Sequence, residues 1–474
     1  MSDTGGKLFL GPRLRRLRRE LGLTQTRLAE ELGLSPSYVN LMERNQRPLT
    51  AAVVLRLAQV YDLDLRTLTA EDDHRSATAL AEVFGNPLFR DIAVPRQEIQ
   101  DLTDHCPGAA DAVLRLFAAY QETLKAASGA AGSAETGRGG AFQDPIERVR
   151  DLLETNRNHF PELDEAAEAL ADELALGEGD FFAAARARLR ERHAVVTRVL
   201  PVELMPESLR RFDRHRRQLL ISEVTDRAGR AFQVAYQLGA AEQSTLVEAV
   251  LDRIAEKEPV ARRMLRVSLL NYFAAAVMMP YGRFQTAAEA LGYDIVLLGQ
   301  RFGASFEQVC HRLTTLQRPT ARGIPFFMLR LDQAGNVSKR FASGRFQLSR
   351  FGGTCPLWNV HATFAAPGKI LTDVVELPDG TTYFSIARTV QKAKLPYGAV
   401  DPVFAVGLVC ELKYAGRLVY ARGHGLDASR ATPIGVNCRL CERQNCPQRS
   451  EPPMTRPIIV DETHRTLSPF AFAE

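Results

Sequence analysis

The stretch TQTRLAEELGLSPSYVNLMERNQRP, residues 24–48, leaves little freedom in what its chain can build. Thr24 is an N-cap, and Leu28, Ala29 and Leu32 follow at helical spacing until Gly33 stops the helix. Ser35 caps the next helix and Pro36 occupies its first position, where a missing N–H costs nothing. That helix turns Val39 and Met42 inward and leaves Ser37, Tyr38, Asn40 and Arg44 outward. A basic helix from Arg13 to Leu21 precedes the pair, and AAVVLRLAQVYDL, residues 51–63, supplies a fourth helix to close the core.

Charge points the same way. Residues 11–50 hold eight arginines against four glutamates, an excess equal to the +4 of the whole chain. The net positive charge therefore sits at one end, where a polyanion can be met. Two short helices joined by a Gly-containing turn form a helix-turn-helix, whose second helix enters the DNA major groove. The stretch resembles the phage-repressor/Cro type. The resemblance implies that Gln25, Ser35, Ser37, Tyr38, Asn40 and Arg44 contact bases or phosphates. It implies that Arg13, Arg16, Arg27 and Arg47 neutralise phosphates. A dimer on a palindromic operator is expected, because single units of this type bind weakly.

At 474 residues the chain exceeds one core. Four segments are read: a helix-turn-helix domain at 1–72, a helical connector and linker at 73–145, a mostly helical domain at 146–320 and an α+β domain at 321–474. The linker is GAAGSAETGRGGAF, residues 129–142, which lacks periodicity. No apolar run reaches the length of a membrane helix and no secretory signal opens the chain, so a cytoplasmic protein with reduced thiols is expected, with no membrane partner.

In the middle, residues 209–222 read as a strand pair. The following RAFQVAYQLGA, residues 230–240, resembles the helix of a zinc-peptidase-like domain often fused behind such DNA readers. Active members carry HExxH there, two histidines for zinc and a glutamate for water. Here Tyr236, Gln237 and Ala240 stand at the matching places, and no acidic residue lies between Leu265 and Asn271, where the third ligand would be. A retained scaffold without hydrolytic activity is expected; a regulatory zinc peptidase is the disfavoured alternative. Residues 287–317 hold a second helix-turn-helix-like pattern, read as scaffold rather than a second DNA reader, with Cys310 a core thiol.

From about residue 322 the texture changes to strands. Hairpins are expected around Gly335 and around Pro378-Asp379-Gly380, and residues 402–423 are read as two strands turning at Ala415-Gly416. Then VNCRLCERQNCPQR, residues 436–449, places three of the chain's seven cysteines within nine residues. Cys438 and Cys441 form a CxxC pair that reaches one metal from a single turn, and Cys446 adds a third thiolate. A fourth ligand has to come from elsewhere: Cys410 first, Cys355 second, Cys106 last. A zinc site and a [4Fe–4S] cluster both accept this arrangement. Three local ligands, a distant fourth and Pro447 lean toward the cluster.

CPLWNVHATF, residues 355–364, and TPIGVNCRLCERQNCPQR, residues 432–449, taken with the two N-terminal domains, resemble the short-chain fatty acyl transcriptional regulators over nearly the whole chain. The resemblance implies a non-enzymatic regulator of acetate, propionate, glyoxylate or methylcitrate pathway genes. It also implies acyl-CoA sensing in the C-terminal region and, in some members, an iron–sulfur cluster on the terminal cysteines. DNA binding with a purely structural zinc is the remaining alternative.

Overall fold

The computed structural model describes residues 14, 18, 23–43, 46–47, 50, 53, 56–57, 60, 71–89, 92, 94–129, 145–174, 180–342, 346, 353–391, 393–423, 426–453 and 456–472. The expected linker at 129–142 lies outside these residues except for Gly129, which ends a helix.

Helices α1 (Gln25–Leu32) and α2 (Pro36–Glu43) form the expected pair. The Thr24 hydroxyl accepts from Arg27 N–H, the Ser35 hydroxyl accepts from Tyr38 N–H, and Gly33 takes the left-handed conformation at φ 62°. Leu14, Leu28, Ala29, Leu32, Val39, Met42, Val53 and Leu57 make their core. A separate small bundle follows: α3 (Glu71–Phe84), α4 (Arg96–His105) and α5 (Pro107–Gly129), packed around Leu80, Ile99 and Ala110.

The larger body begins with α6 (Pro145–Thr155), α7 (Pro161–Glu173) and α8 (Phe181–His193). A three-stranded sheet comes next, β1 (Val196–Leu200), β2 (Arg210–Asp213) and β3 (Gln218–Ser222), in the order β1-β3-β2. β2 and β3 are the expected antiparallel pair, whereas β1, parallel to β3, was not foreseen. Its VTRVL does not alternate apolar with polar, and five residues are too short a run to separate from the preceding helix. Helices α9 (Arg227–Glu242), α10 (Ser244–Ile254), α11 (Pro259–Met278), α12 (Tyr281–Ala290), α13 (Ile295–Phe302) and α14 (Phe306–Thr314) complete the helical layer. The second helix-turn-helix-like pattern is α13 and α14, and its reader-like helix buries Val309, Cys310, Arg312 and Leu313. Those residues face the core, as the scaffold reading expects.

A six-stranded sheet backs this layer: β4 (Phe327–Leu331), β5 (Val337–Ala342), β6 (Leu371–Glu376), β7 (Thr382–Gln391), β8 (Val403–Glu411) and β9 (Thr432–Pro433), in the order β5-β4-β8-β7-β6-β9. Both expected hairpins form, with Gly335 and Gly380 at φ 84° and 80° in their turns. The second half of the expected pair at 402–423 is not a strand. After β8 the chain runs as 3₁₀ turns at Leu412–Arg417 and Val419–Ala421, and Val419 N–H donates to Gly292 O on the helical side.

Pleat parity divides the sheet's two faces. Met328, Phe384, Ile386, Val406, Leu408 and Cys410 face the helices. Phe327, Leu329, Tyr383, Ala387, Ala405 and Val409 face a second core with Cys355, Trp358 and Ile434. The cysteine-rich loop covers this second face. A short hairpin, β10 (Ile458–Ile459) with β11 (Ala471–Phe472), ends the described chain.

Candidate DNA-reading and cysteine sites

In the N-terminal unit a buried carboxylate sets the geometry. Glu43 is 2 % exposed. Arg18 Nε donates to its Oε1 at 2.6 Å, Arg18 Nη2 to Oε2 at 3.2 Å, and Gln25 Nε2 to Oε2 at 2.7 Å. The hydrogen bond and charge of Glu43 hold the Arg18 guanidinium above its ordinary pKa. Arg18 Nη1 also bonds Leu23 O, so Arg18 is tied both to the segment entering α1 and, through Glu43, to the end of α2. The sequence reading counted Arg18 and Glu43 only in the charge balance of residues 11–50 and did not pair them. The signal was there: Glu43 follows Val39 and Met42 on the inward stripe.

Ser37 and Arg47 are exposed, and Asn40 is half-buried on α2. Tyr38 packs against the domain core, Arg27 is exposed and pairs with Glu31, and the Ser35 hydroxyl is engaged as a cap. Gln25 directs its amide at Glu43. Arg13, Arg16 and Arg44 lie outside the described residues. The exposed face of α2 thus presents Ser37 and Asn40 on a helix of eight residues.

At the peptidase-like helix, Tyr236 and Gln237 are buried on α9, and Gly239 lets α9 approach α11 so closely that a Cβ there would meet Phe273 Cδ1 at 2.7 Å. Arg210 of edge strand β2 stacks over the Tyr236 ring, 3.7 Å from its centroid. Its Nη1 is buried and has no hydrogen-bond partner. Where an active member would hold zinc, this chain presents a cation backed by an aromatic ring.

The C-terminal thiols do not converge as ranked. Cys410 lies on β8 with its side chain in the helical core, where burial pushes its pKa up to about 12. The cysteine loop lies over the opposite face of the sheet. The first choice for a fourth ligand is thus on the wrong side, because residue 410 shares the pleat parity of Leu408, and the 3₁₀ turns after β8 lead toward the helices. Cys106 is exposed at the α4–α5 junction.

Cys355 belongs to the loop's own side. Burial raises its thiol; the N–H groups of Gly435 and Leu357 hydrogen-bond its sulfur and lower it, and the charges of Cys438 and Cys441 raise it. Cys355 thus stands within electrostatic reach of two loop thiols. It is held in a turn whose Cys355 O accepts from Trp358 N–H, leading into α15 (Asn359–Ala362). Trp358 Nε1 donates to Ser385 Oγ at 2.9 Å, anchoring that turn to β7.

The loop is pinned independently. Ile434 N–H donates to Glu376 O, and Arg443 Nη2 bonds Glu376 Oε1 at 2.9 Å and the carbonyls of Glu376 and Leu377. Cys441 N–H donates to Cys438 O at 3.3 Å, closing the CxxC turn. A Cβ on Gly435 would meet Cys441 Sγ at 2.8 Å, so the backbone at 435 cradles the sulfur.

Among the described residues no three His, Cys, Asp or Glu side chains already stand as a metal-holding group. The donor set itself is all sulfur: Cys438, Cys441 and Cys446 from one loop, and Cys355 beside two of them. Those are the donors that zinc and iron–sulfur groups take.

The chain matches three family models: "Helix-turn-helix" at residues 14–68, "IrrE N-terminal-like domain" at 190–314 and "Short-chain fatty acyl coenzyme A regulator, C-terminal" at 315–470. It is 40% identical over 472 residues to the HTH-type transcriptional regulator RamB of Mycobacterium tuberculosis, covering 98% of each chain. The chain belongs to the short-chain fatty acyl-CoA regulator family. The PrpR regulator of the same organism is 40% identical over 479 residues, covering 100% of this chain and 98% of that one. The propionyl-CoA carboxylase regulator of Cereibacter sphaeroides is 39% identical over 99% of both. A solved structure of a Mycobacterium tuberculosis transcriptional regulator, 40% identical, superposes with a TM-score of 0.66 over 69% of this chain and 100% of that one. As a member of this family the chain is a DNA-binding transcriptional regulator and not an enzyme, and its peptidase-like domain is kept without the HExxH residues. No helix among the described residues is long and apolar enough to cross a membrane.

Proposed function

We propose that this regulator controls short-chain fatty acid metabolism, in the acetate/propionate or glyoxylate/methylcitrate branches, by sensing a short-chain acyl-CoA. It would bind a palindromic operator as a cytoplasmic homodimer. The observation that carries this reading is the match of residues 315–470 to the acyl-CoA regulator domain, joined on one chain to the reader at 14–68.

Cys438, Cys441, Cys446 and Cys355 would hold a [4Fe–4S] cluster. When bound, such a group supplies a one-electron redox input. This chain's own residues would do the rest: the CxxC turn, the Gly435 cradle and the Trp358 anchor present sulfur from two sides of one loop.

The test is operator affinity, measured by fluorescence anisotropy on DNA from the promoters the protein occupies, with acetyl-CoA, propionyl-CoA and free CoA. A change of about tenfold with one acyl-CoA, a coupling of about 1.4 kcal/mol, is expected. Identical affinity with all three removes the effector from the account.

A further inference from the structure

Three arginines flank the loop thiols, and their surroundings differ. Arg439 is exposed and pairs with the Glu451 carboxylate. Arg443 pairs with Glu376. Arg449 is 3 % exposed and has no carboxylate partner among the described residues. Its Nη1 donates to Cys438 O at 3.1 Å and Glu451 O at 3.3 Å, and its Nη2 to Cys441 O at 2.9 Å and Arg443 O at 2.8 Å. Its Nε is buried without a partner, and its guanidinium lies 4.9 Å from the Phe472 ring centre.

A guanidinium is always charged, and burying a charge without a counter-charge costs several kcal/mol. Carbonyl dipoles offset part of that cost. Two of the residues whose carbonyls it grips, Cys438 and Cys441, carry sulfurs that would become anionic on binding a metal. We propose that Arg449 is the positioning residue and built-in counter-cation of a net-anionic metal centre on the cysteine loop. It holds the CxxC turn through the carbonyls of Cys438 and Cys441, and its charge is balanced only when the thiolates are in place. Phe472 closes over it, so the C-terminal hairpin shields this cation from water. The inference rests on the reading that these cysteines take a metal.

The test uses the full-length reduced protein and the variants Arg449→Met, Arg449→Lys and, as a control, Arg439→Gln. Iron and sulfide per chain are measured after anaerobic reconstitution, with the one-electron midpoint of the loaded protein. Co²⁺ affinity of the metal-free chain is read from its thiolate charge-transfer absorption. Loss of charge in Arg449→Met is expected to weaken Co²⁺ binding by about tenfold or more and to move the midpoint to more negative potential. Arg449→Lys keeps the charge and is expected to stay near wild type in midpoint, as is Arg439→Gln. Equal shifts in the Lys and Met variants, or no shift in either, overturn the proposal. A wild-type chain that binds Co²⁺ but no iron and sulfide defeats the cluster reading alone, and the Co²⁺ comparison then decides Arg449. A wild-type chain that binds no metal overturns both.

Discussion

Arg312 Nη2 reaches Asp164 Oδ1 at 2.7 Å with neither side chain exposed, joining α7 to α14 across 148 residues of sequence. Both partners are fully engaged: Arg312 also donates to Met279 O and Thr315 Oγ1, and Asp164 Oδ2 accepts from Tyr272 O–H at 2.7 Å. Removing one partner strands a buried charge. Asp164→Asn or Arg312→Met is expected to cost about 3–5 kcal/mol in urea unfolding, and the double change Asp164→Leu with Arg312→Met to recover part of it. A single variant that loses less than about 1 kcal/mol would show that the pair is solvated, contrary to its burial.

His311 gives the helical core a pH dependence. It is half-buried, stacks on Phe341 at 4.0 Å between ring centres, and its shielded Nε2 has no hydrogen-bond partner. Burial, then Lys339, push its pKa down to about 3. The unfolded chain takes up that proton near the ordinary value of 6.5 and the folded chain does not. Between those values the unfolded state binds more protons, so stability is constant above about pH 6.5 and falls below it, by at most about 1.4 kcal/mol per pH unit. Asp164, held below its ordinary range against burial by Arg312, His159 and Tyr272, acts in the same direction only at lower pH. His311→Phe is expected to flatten the fall between pH 7 and 5 in a series of urea titrations; an unchanged slope would assign it to other groups.

On the DNA side, Asn40 and Glu43 separate recognition from support. Asn40→Ala is expected to weaken operator binding by about 1–3 kcal/mol while leaving binding to unrelated DNA unchanged. Glu43→Ala removes the buried partner of Arg18 and Gln25, and is expected to lower affinity for both DNAs together with the thermal stability of the N-terminal unit. Parallel loss of both affinities in Asn40→Ala would place that residue in the support instead.

Much of this was legible in one sequence. Cap, turn glycine and inward positions agreed at Thr24, Gly33, Ser35 and Met42, and that agreement across levels makes a short motif readable. The hairpins at Gly335 and Gly380 were read from turn chemistry alone. What failed depended on faces. Cys410 was ranked first because it is near in sequence to a returning chain, yet strand parity sends it to the helices with Val406 and Leu408. In AVGLVCE every position from Ala405 to Cys410 is buried, so no alternation marks its two faces, and which face the loop covers is decided by register and not by composition. Arg449 and Arg210 were unreadable for a related reason: their meaning lies in carboxylates that are missing from their neighbourhood in space.

The account stands most directly on the metal content of three chains purified without oxygen: wild type, Cys355→Ser and Cys410→Ser. About four iron and four sulfide per chain in wild type and in Cys410→Ser, with a loss in Cys355→Ser, is the predicted result. Retention in Cys355→Ser with loss in Cys410→Ser would contradict it, and zinc without sulfide in all three would leave the loop a structural clip.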